Sequence, residues 1–300
     1  MPSLTTIAHE KLLVSPDYDF ITGPHQSRFL ESRVAQLNST GKPLGIDTET
    51  GGPGKKDGLL PWRGRIRLLQ VASLDYCLIV DLDGWRPSDP HLHPGVPWDQ
   101  PGLSALKLLL ESNRTKILQN APFDLTWLRT TDVVVGGKIF DTHVGAKLIN
   151  AGTNAKNDLG SISDRYLHIK LDKTHQRFDY NQAELPKDVL QYAARDGLVL
   201  THLAQPIRER LKTDGLWDVF QLEMDVLRPI AEMKWHGFGV DLEAALSLKS
   251  EFMEKEESLK MLFVELLDQK LQLKYLNTPA QWLPRDPDGS FNLRTKDSGK

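Results

Sequence analysis

The sequence predicts an α/β fold built around a mixed β-sheet. Short segments of alternating or continuous apolar residues come first along the chain and indicate strands, and strand and helix patterns alternate after them. From residue 216 the pattern changes to long helical spacing, which predicts a mainly helical C-terminal segment. We therefore expect two domains, residues 1–215 and residues 216–300, without internal repeats.

Five segments have the composition and alternation of strands. GKPLGIDTE begins after a Gly-Lys-Pro turn, and two further segments are close enough in sequence to form a meander. In chain order the five segments are YDFITG (18–23), GKPLGIDTE (41–49), RIRLLQVAS (65–73), DYCLIVDL (75–82) and TKILQ (115–119).

Helical spacing of apolar residues predicts the remaining elements. After residue 216 this spacing runs from Trp217 to Met233 and ends at HGFG, and Asp241 is a predicted N-cap of a last helix that ends near Lys274. The earlier predicted helices are about 25–38, LSALKLLLES (103–112), APFDLTWLRT (121–130), THVGAKLIN (142–150), NDLGSISDRYL (157–167) and Pro186 to about Lys212.

Composition and charge narrow the class of protein. The chain is 40% apolar and 26% charged, as in a soluble globular protein, and it has no apolar run long enough for a membrane span. Its formal net charge of −3 argues against a protein that coats nucleic acid by charge alone. A single cysteine, Cys77, and an N-terminus without signal-peptide features predict a reducing, cytoplasmic location, which for a viral protein is the host cytoplasm.

The candidate functional residues are four acids in three separate segments. Asp47 and Glu49, in LGIDTETGG, are two positions apart, so a strand directs both side chains to the same face. Asp124 lies at the start of an apolar helix in LQNAPFDLTWL. Tyr192 and Asp196, in YAARDGLVL, share one face of a helix with apolar neighbours, which directs Asp196 toward the core.

Electrostatics explains which ligand such acids would take if they converge, although periodicity alone does not establish that they do. Two carboxylates about 4 Å apart repel by roughly 4 kcal/mol at an effective dielectric of about 20, against a domain stability of only about 5–15 kcal/mol. Protonation relieves the repulsion, and hard divalent cations with oxygen ligands relieve it better. No Cys/His set has zinc spacing. Two Mg²⁺ or Mn²⁺ ions, which can hold both reacting oxygens of a phosphodiester, are the expected cofactors.

Three motifs resemble those of a known family. LGIDTET, LQNAPFD and YAARD, in this order, resemble the acidic motifs of the DnaQ-like, DEDD-type 3′–5′ exonucleases, and Tyr192 matches the tyrosine subclass. KIFDTHVGAKLIN, at the family's usual place after the second motif, adds Asp141. The resemblance covers about residues 15–215 and implies a ribonuclease H-like fold, a mixed five-stranded sheet flanked by helices.

The resemblance also implies roles for the acidic residues. Asp47 would bridge both metal ions, and Glu49 and Asp196 would bind the ion that activates water. Asp124 would hold the second ion largely through its waters, and Tyr192 would orient the attacking water. Asp141 would either support the site from behind or cap the helix THVGAKLIN, and the two roles are compatible.

Other residues are candidates for substrate binding. Phe123 would stack a frayed base or pack as an ordinary helix residue. His175 is interpreted as a polar surface residue. Four basic residues would line the path of the phosphate backbone or lie in a solvated loop: Lys55, Lys56, Arg63 and Arg65. The positions that match nucleotide-holding residues of related enzymes are Thr48, Thr50, Gln119, Asn120 and Phe123.

The segments that flank the last motif favour different subfamilies. LDKTHQRFDY resembles a segment of ribonuclease D and of the Werner-type exonucleases, which predicts a freestanding enzyme that trims RNA or DNA. FQLEMDVLRPIAEMKWHGFGVDLEAA resembles the segment that joins the proofreading and polymerase domains of family A DNA polymerases, and SFNLRTKDSGK resembles a degraded start of the next family element.

We expect, from these features together, a metal-dependent exonuclease that proofreads for a family A-like polymerase domain or subunit. It would act on single-stranded or frayed DNA 3′ ends and release nucleoside 5′-monophosphates. Two alternatives are the freestanding ribonuclease D or Werner-type enzyme and a catalytically inactive nucleic-acid-binding scaffold. The intact acidic set argues against the scaffold.

Overall fold

The computed structural model describes residues 15–54, 56–86, 95–172, 174–176 and 178–274, with side chains up to residue 267. Lys55 and the segment SFNLRTKDSGK lie outside the described residues. The chain divides into two compact units, Met1–Gly237 and Phe238–Lys300, and each is described by itself.

The described residues of the first unit form a mixed six-stranded sheet with the order β1-β4-β3-β2-β5-β6. β2, β3 and β4 form an antiparallel meander, β1 pairs parallel with β4, and β5 and β6 continue the sheet in parallel from β2. The α/β class and the mixed sheet predicted from the sequence are therefore confirmed. The strands are β1 (Tyr18–Ile21), β2 (Leu44–Gly51), β3 (Arg65–Ser73), β4 (Tyr76–Asp81), β5 (Lys116–Leu118) and β6 (Ile139–Asp141).

The expected count of five strands is wrong by one. The five segments predicted as strands all form strands, and β6 is the strand that the sequence pattern did not indicate. It has three residues, all buried, which is too short for an alternating pattern to be recognised. β6 matters for the site because it ends on Asp141.

Helices cover both faces of the sheet. The α-helices described in the first unit are α1 (Ser27–Ser39), α2 (Leu103–Glu111), α3 (Pro122–Arg129), α4 (Thr142–Ile149), α5 (Leu159–Leu167), α6 (Lys187–Thr213) and α7 (Trp217–His236). Alternate residues of β4 enter different apolar clusters: Leu78 and Val80 pack with α1, α2 and α3, whereas Cys77 and Ile79 pack with α4, α5 and α6.

A close approach of α6 to β2 places the last acidic motif beside the first. A Cβ atom at Gly45 would lie 2.4 Å from the Gly197 carbonyl oxygen and 2.9 Å from the Thr201 methyl group. Only glycine therefore allows the helix to lie this close to the strand. Asp196 precedes Gly197, so the contact brings it next to the face of β2 that carries Asp47.

Helix α7 packs on the core that contains the sheet. Phe220 belongs to the apolar cluster around α6, and Leu227 and Ala231 belong to the cluster on the other face. The first compact unit accordingly extends to Gly237. That one domain ends and a second begins near residue 215 stays a prediction from the sequence.

The second unit contains α8 (Leu242–Lys274). The Asp241 side chain accepts a hydrogen bond from the Ala244 N–H at 3.0 Å, as expected for an N-cap. Large apolar side chains of this helix, such as Phe252 and Phe263, are exposed. Within the described part of the chain, no helix is long and apolar enough to cross a membrane.

Candidate active site

The structure brings together the four acids predicted from the sequence. Asp47 and Glu49 lie on β2, Asp124 in the first turn of α3, and Asp196 on α6. The negative charges of Asp47, Asp196 and Asp124 each raise the pKa of Glu49, so the four carboxylates lie within electrostatic reach of one another.

Local structure at the end of β2 presents these side chains. The pairing of β2 with β3 shifts between Glu49 and Thr50, an irregularity of the kind that turns side chains at sheet ends. Asp124 follows a turn in which Asn120 has φ 61°, and Pro122 begins α3. The Thr48 hydroxyl donates a 2.6 Å hydrogen bond to Oδ1 of Asp124, which joins β2 to α3.

Burial makes the charged form of all four acids unfavourable. Burial raises the pKa of Asp47 to about 7 and, together with the charge of Asp47, raises the pKa of Asp196 to about 8. Burial and neighbouring carboxylates raise the pKa values of Glu49 and Asp124 as well. Hydrogen bonds and the charge of Arg195 on Asp196 oppose these shifts, but their effects are smaller. Near neutral pH these carboxyls therefore tend to hold protons, because the surrounding protein stabilises their charged forms only in part.

Two tyrosines face the acids. Tyr192 lies one turn before Asp196 on α6 and lowers the pKa of that carboxyl by hydrogen bonding to it. Burial and Asp196 raise the pKa of the Tyr192 phenol, so it carries its proton at neutral pH. Tyr180, which the sequence analysis did not single out, is buried and interacts with Glu49. No periodicity signals Tyr180, because it lies in an irregular segment between helices.

Asp141 supports the turn that leads to Asp124. Its carboxylate accepts hydrogen bonds from the backbone N–H groups of Ala121 at 2.7 Å and Asn120 at 3.2 Å. It also accepts from His143 at 2.8 Å and Val144 at 3.1 Å, which makes it the N-cap of α4. Asp141 thus has both arrangements considered from the sequence: it caps a helix and lies behind the acids.

Three of the five predicted substrate-binding residues direct their side chains into the protein. Thr48 binds Asp124, the Thr50 hydroxyl donates to the Gly58 carbonyl, and Gln119 Nε2 donates to the Asn157 carbonyl at 3.0 Å. The other two are Asn120, which is exposed, and Phe123, which is half-buried with its ring centroid 6.1 Å from that of Trp127.

One further expectation was wrong. Arg65 lies neither on a substrate path nor in a solvated loop: β3 begins at Arg65, so the sheet buries it, and it donates to Asp83 at 2.7 Å. His175, interpreted from the sequence as a polar surface residue, is partly exposed and has polar and aromatic neighbours. Its Nε2 lies 3.1 Å from Asp188, and its ring lies edge-on to that of Tyr192 with centroids 6.1 Å apart.

The chemistry of the donor set fits divalent cations. Among the described residues, no three His, Cys, Asp or Glu side chains are arranged, as they lie, so that they could hold a metal ion by themselves. Mg²⁺ keeps several waters and binds through one or two carboxylates, so it does not need such a preformed cage. Asp124 is buried and the other three acids are partly exposed, so solvent and ions can reach carboxylates whose charge the protein compensates only in part, which suits a hard cation.

The fold and the clustered acids define a class of nuclease with a ribonuclease H-like domain. Residues 21–212 match the 3′-5′ exonuclease family of the DNA polymerase A type. The chain belongs to this family of 3′–5′ exonucleases, which are phosphodiester hydrolases. The family resemblance expected from the three acidic motifs is confirmed.

Two curated relatives show how the similarity is distributed. DNA polymerase I of Aquifex aeolicus is 24% identical over 304 residues, which covers 93% of this chain and 47% of the relative. Ribonuclease D of Nitrobacter hamburgensis is 27% identical over 161 residues, which covers 53% of this chain and 38% of the relative. The chain therefore spans about half of the first relative's length and less of the second.

Solved structures share the fold. The apo form of a nuclease superimposes with a TM-score of 0.59 at 23% identity. The superposition includes 75% of this chain and 96% of the nuclease chain. Brucella melitensis NrnC with bound Mg²⁺ has a TM-score of 0.52 at 24% identity and covers 67% of this chain and 89% of its own. The same nuclease has been solved with pGG, with a TM-score of 0.53. The predicted ribonuclease H-like fold is confirmed.

Proposed function

We propose that the chain hydrolyses the terminal phosphodiester at the 3′ end of single-stranded or frayed DNA and releases nucleoside 5′-monophosphates. The observation that carries this proposal is the meeting of Asp47, Glu49, Asp124 and Asp196 at the end of β2, in a chain of the 3′–5′ exonuclease family. Carboxylates from three separate segments are brought together here although their charges repel.

Two divalent cations, Mg²⁺ or Mn²⁺, are the proposed cofactors. When bound, they would supply Lewis acidity for the attacking water and the leaving oxygen. Asp47 is proposed to contact both ions, Glu49 and Asp196 to hold one, and Asp124 to hold the other. The Mg²⁺ bound in NrnC supports this choice of metal.

The remaining residues of the site are proposed to position these acids and the substrate. Tyr192 keeps its proton at neutral pH, so it acts as a hydrogen-bonding group that orients the attacking water, not as the base. Asp141 holds the turn before α3 in place through Asn120 and Ala121. The residues proposed to hold the terminal nucleotides are Thr48, Thr50, Gln119, Asn120 and Phe123; the first three would have to do so while keeping or exchanging internal hydrogen bonds.

We further propose that the exonuclease proofreads for a family A-like DNA polymerase domain or subunit. The similarity to the Aquifex aeolicus polymerase covers 93% of this chain, which exceeds the 21–212 range of the exonuclease family. A second candidate is trimming of RNA 3′ ends by a freestanding enzyme. The similarity to ribonuclease D, over 161 residues, supports it.

A competition between matched DNA and RNA oligonucleotides tests both candidates. Each substrate carries a 5′ label, so that shortening from the 3′ end gives a ladder, and mononucleotide products are identified separately. We expect DNA to be shortened faster, with nucleoside 5′-monophosphates as products. Preferred digestion of RNA would support the second candidate, and binding of either substrate without cleavage in Mg²⁺ or Mn²⁺ would indicate a scaffold.

A further inference from the structure

An irregular segment before α6, residues 180–183, lies against the end of β2. The Asn181 side-chain oxygen accepts hydrogen bonds from the Gly52 N–H at 3.0 Å and from Arg65 at 3.1 Å. A Cβ atom at Gly51 would lie 2.7 Å from the same oxygen. The segment is therefore in direct contact with the residues that immediately follow Glu49.

Arg67 holds the backbone of this segment. Its guanidinium donates to the carbonyl oxygens of Tyr180 at 3.4 Å, Gln182 at 2.9 Å and Ala183 at 3.2 Å. The same guanidinium donates to both carboxylate oxygens of Asp81, at 2.7 and 2.9 Å. Asp81 thus neutralises Arg67, and the planar guanidinium uses its other donors to fix three carbonyl groups, which a lysine could not do.

Tyr180 projects from this fixed segment into the acid cluster. The residue is only 5% exposed, and its ring packs edge-on against Phe178 with centroids 5.2 Å apart. Its hydroxyl is buried and lacks a hydrogen bond of ordinary length and angle among the described residues. Glu49 is nevertheless its neighbour: the hydroxyl lies near enough to the Glu49 carboxyl to lower the pKa of that group as a hydrogen-bond donor, although it does not meet the length and angle of a full hydrogen bond.

A buried hydroxyl without a completed hydrogen bond is unusual in a folded protein and calls for an explanation. A phenol hydroxyl is a donor as well as an acceptor, so it can complete a hydrogen bond to a carboxylate oxygen. Carboxylates that bind metals are commonly held by such an outer hydrogen bond, which fixes the oxygen lone pairs toward the ion.

We propose that Tyr180 is a positioning residue, which donates its hydroxyl to the Glu49 carboxylate and orients it for metal binding, and that the Arg67–Asp81 pair fixes Tyr180 in place. This inference rests on the proposed metal-binding role of Glu49. The Tyr180 hydroxyl would complete this hydrogen bond once the Glu49 carboxylate is in its metal-binding orientation.

The test compares Tyr180→Phe with Tyr166→Phe, because Tyr166 is another tyrosine whose buried hydroxyl lacks a partner among the described residues. Mn²⁺ is titrated into the metal-free protein and binding is followed by tryptophan fluorescence, with kcat and KM measured on a DNA oligonucleotide. We expect Tyr180→Phe to remain folded, to bind Mn²⁺ about 10-fold more weakly and to keep its KM. Tyr166→Phe should match the wild type.

Asn181→Ala provides a second variant, since this exposed residue links the segment to Gly52 and Arg65. We expect a smaller loss of Mn²⁺ affinity in the same direction. If the wild type binds Mn²⁺ and cleaves DNA while Tyr180→Phe has unchanged affinity, the inference is wrong although the proposed function stands. If the wild type neither binds Mn²⁺ nor cleaves DNA, the proposed function fails and this inference fails with it.

Discussion

Among the described residues, two clusters of buried charge lie at the same end of the sheet, and they differ in how the charge is compensated. Leu68 of β3 pairs with Glu49 on one side and with Asp81 on the other, so the acid cluster and the arginine–aspartate cluster are neighbours across one strand. Buried charge is tolerated when it is paired and is costly when it is not.

The arginine–aspartate cluster pairs each carboxylate with at least one arginine, although burial still raises the pKa of Asp81 and lowers that of Arg86 to about 10. Arg65 donates to Asp83 at 2.7 Å, Arg67 to Asp81 at 2.7 Å, and Arg86 to Asp83 at 2.6 Å. The additional donors of Arg67 bind backbone carbonyl groups. Such a set needs no ligand, and we interpret it as structural.

The acid cluster contains the opposite arrangement. Burial and mutual repulsion raise the pKa values of its four carboxyls, and the opposing interactions are weaker. We interpret the difference as a distinction between a structural cluster and the proposed metal-binding one. The predictions below test this difference, starting with the largest expected effect.

Removal of the two β2 acids should abolish activity. Asp47→Ala with Glu49→Ala removes the proposed ligands of both ions, and we expect cleavage of a 5′-labelled DNA oligonucleotide to fall by about 10³-fold or more. EDTA should have the same effect on the wild type. Circular dichroism and thermal unfolding serve as folding controls, and a folded double mutant that still digests the oligonucleotide in Mg²⁺ would show that the site is assigned wrongly.

Breaking the compensated cluster should destabilise the protein instead. Asp81→Asn removes the carboxylate that binds the buried Arg67 guanidinium through two hydrogen bonds and leaves it the longer contact with Asp83 at 3.4 Å, so we expect the free energy of unfolding in urea to fall by about 3 kcal/mol. Added Mg²⁺ should not restore the loss. A variant as stable as the wild type would mean that Asp81 does not compensate Arg67.

The same type of substitution in the acid cluster should stabilise the metal-free protein, which is the opposite effect on the free energy of unfolding. Asp47→Asn keeps the shape of the side chain but removes a charge whose pKa burial raises to about 7. In EDTA at pH 8 we expect the free energy of unfolding to rise by about 2 kcal/mol, while the stabilisation by Mn²⁺ is lost. If this variant is destabilised like Asp81→Asn, the two clusters do not differ in the way described.

The stability of the metal-free protein should depend on pH because of the acid cluster. In the native protein the pKa values of Asp47 and Asp196 are about 7 and about 8, against an ordinary value of 3.8. Between pH 3.8 and these native values, the two carboxyls therefore bind more protons in the native protein than in the unfolded chain. The stability that this provides is fully present below about pH 4 and is lost as the pH rises through 7 and 8.

Bound metal should remove this dependence, because it replaces the protons. We expect Mg²⁺ to raise the thermal unfolding temperature more at pH 8 than at pH 6, and calorimetry in buffers of different ionisation enthalpy should show proton release on binding. Equal stabilisation at both pH values, without proton release, would argue against metal binding by these carboxyls. Asp47→Asn is the control, since it lacks one of the titrating groups.

Much of the fold could be predicted because its elements are long and periodic. The apolar residues of β3 predict a strand, which the structure buries on both faces, and the helical spacing in α6 and α7 places one face of each helix toward the core. β6 could not be predicted, because three residues carry no period. The burial of Arg65 could not be predicted for a related reason: a charged residue after a glycine-rich loop has the composition of a solvated site, and the partners that offset its burial, Asp83 and Asn181, lie far along the chain.

The candidate site was predicted only in part. The four acids and Tyr192 stand in short motifs with fixed spacing, so they could be found without knowledge of the fold. Tyr180 and the contact of His175 with Asp188 and Tyr192 could not be found, because they lie in irregular segments whose neighbours are set by tertiary packing.

The sequence by itself determined the α/β class, the order of the acidic motifs and the chemistry of their oxygen donors, because strand and helix periods and residue types are local properties. The tertiary structure alone decided which buried charges are compensated. That depends on distances between residues such as Arg67 and Asp81, or Glu49 and Tyr180, that are remote or irregularly spaced in sequence. Since the energy of a buried charge depends on its partners in space, no local pattern could separate the structural cluster from the proposed catalytic one.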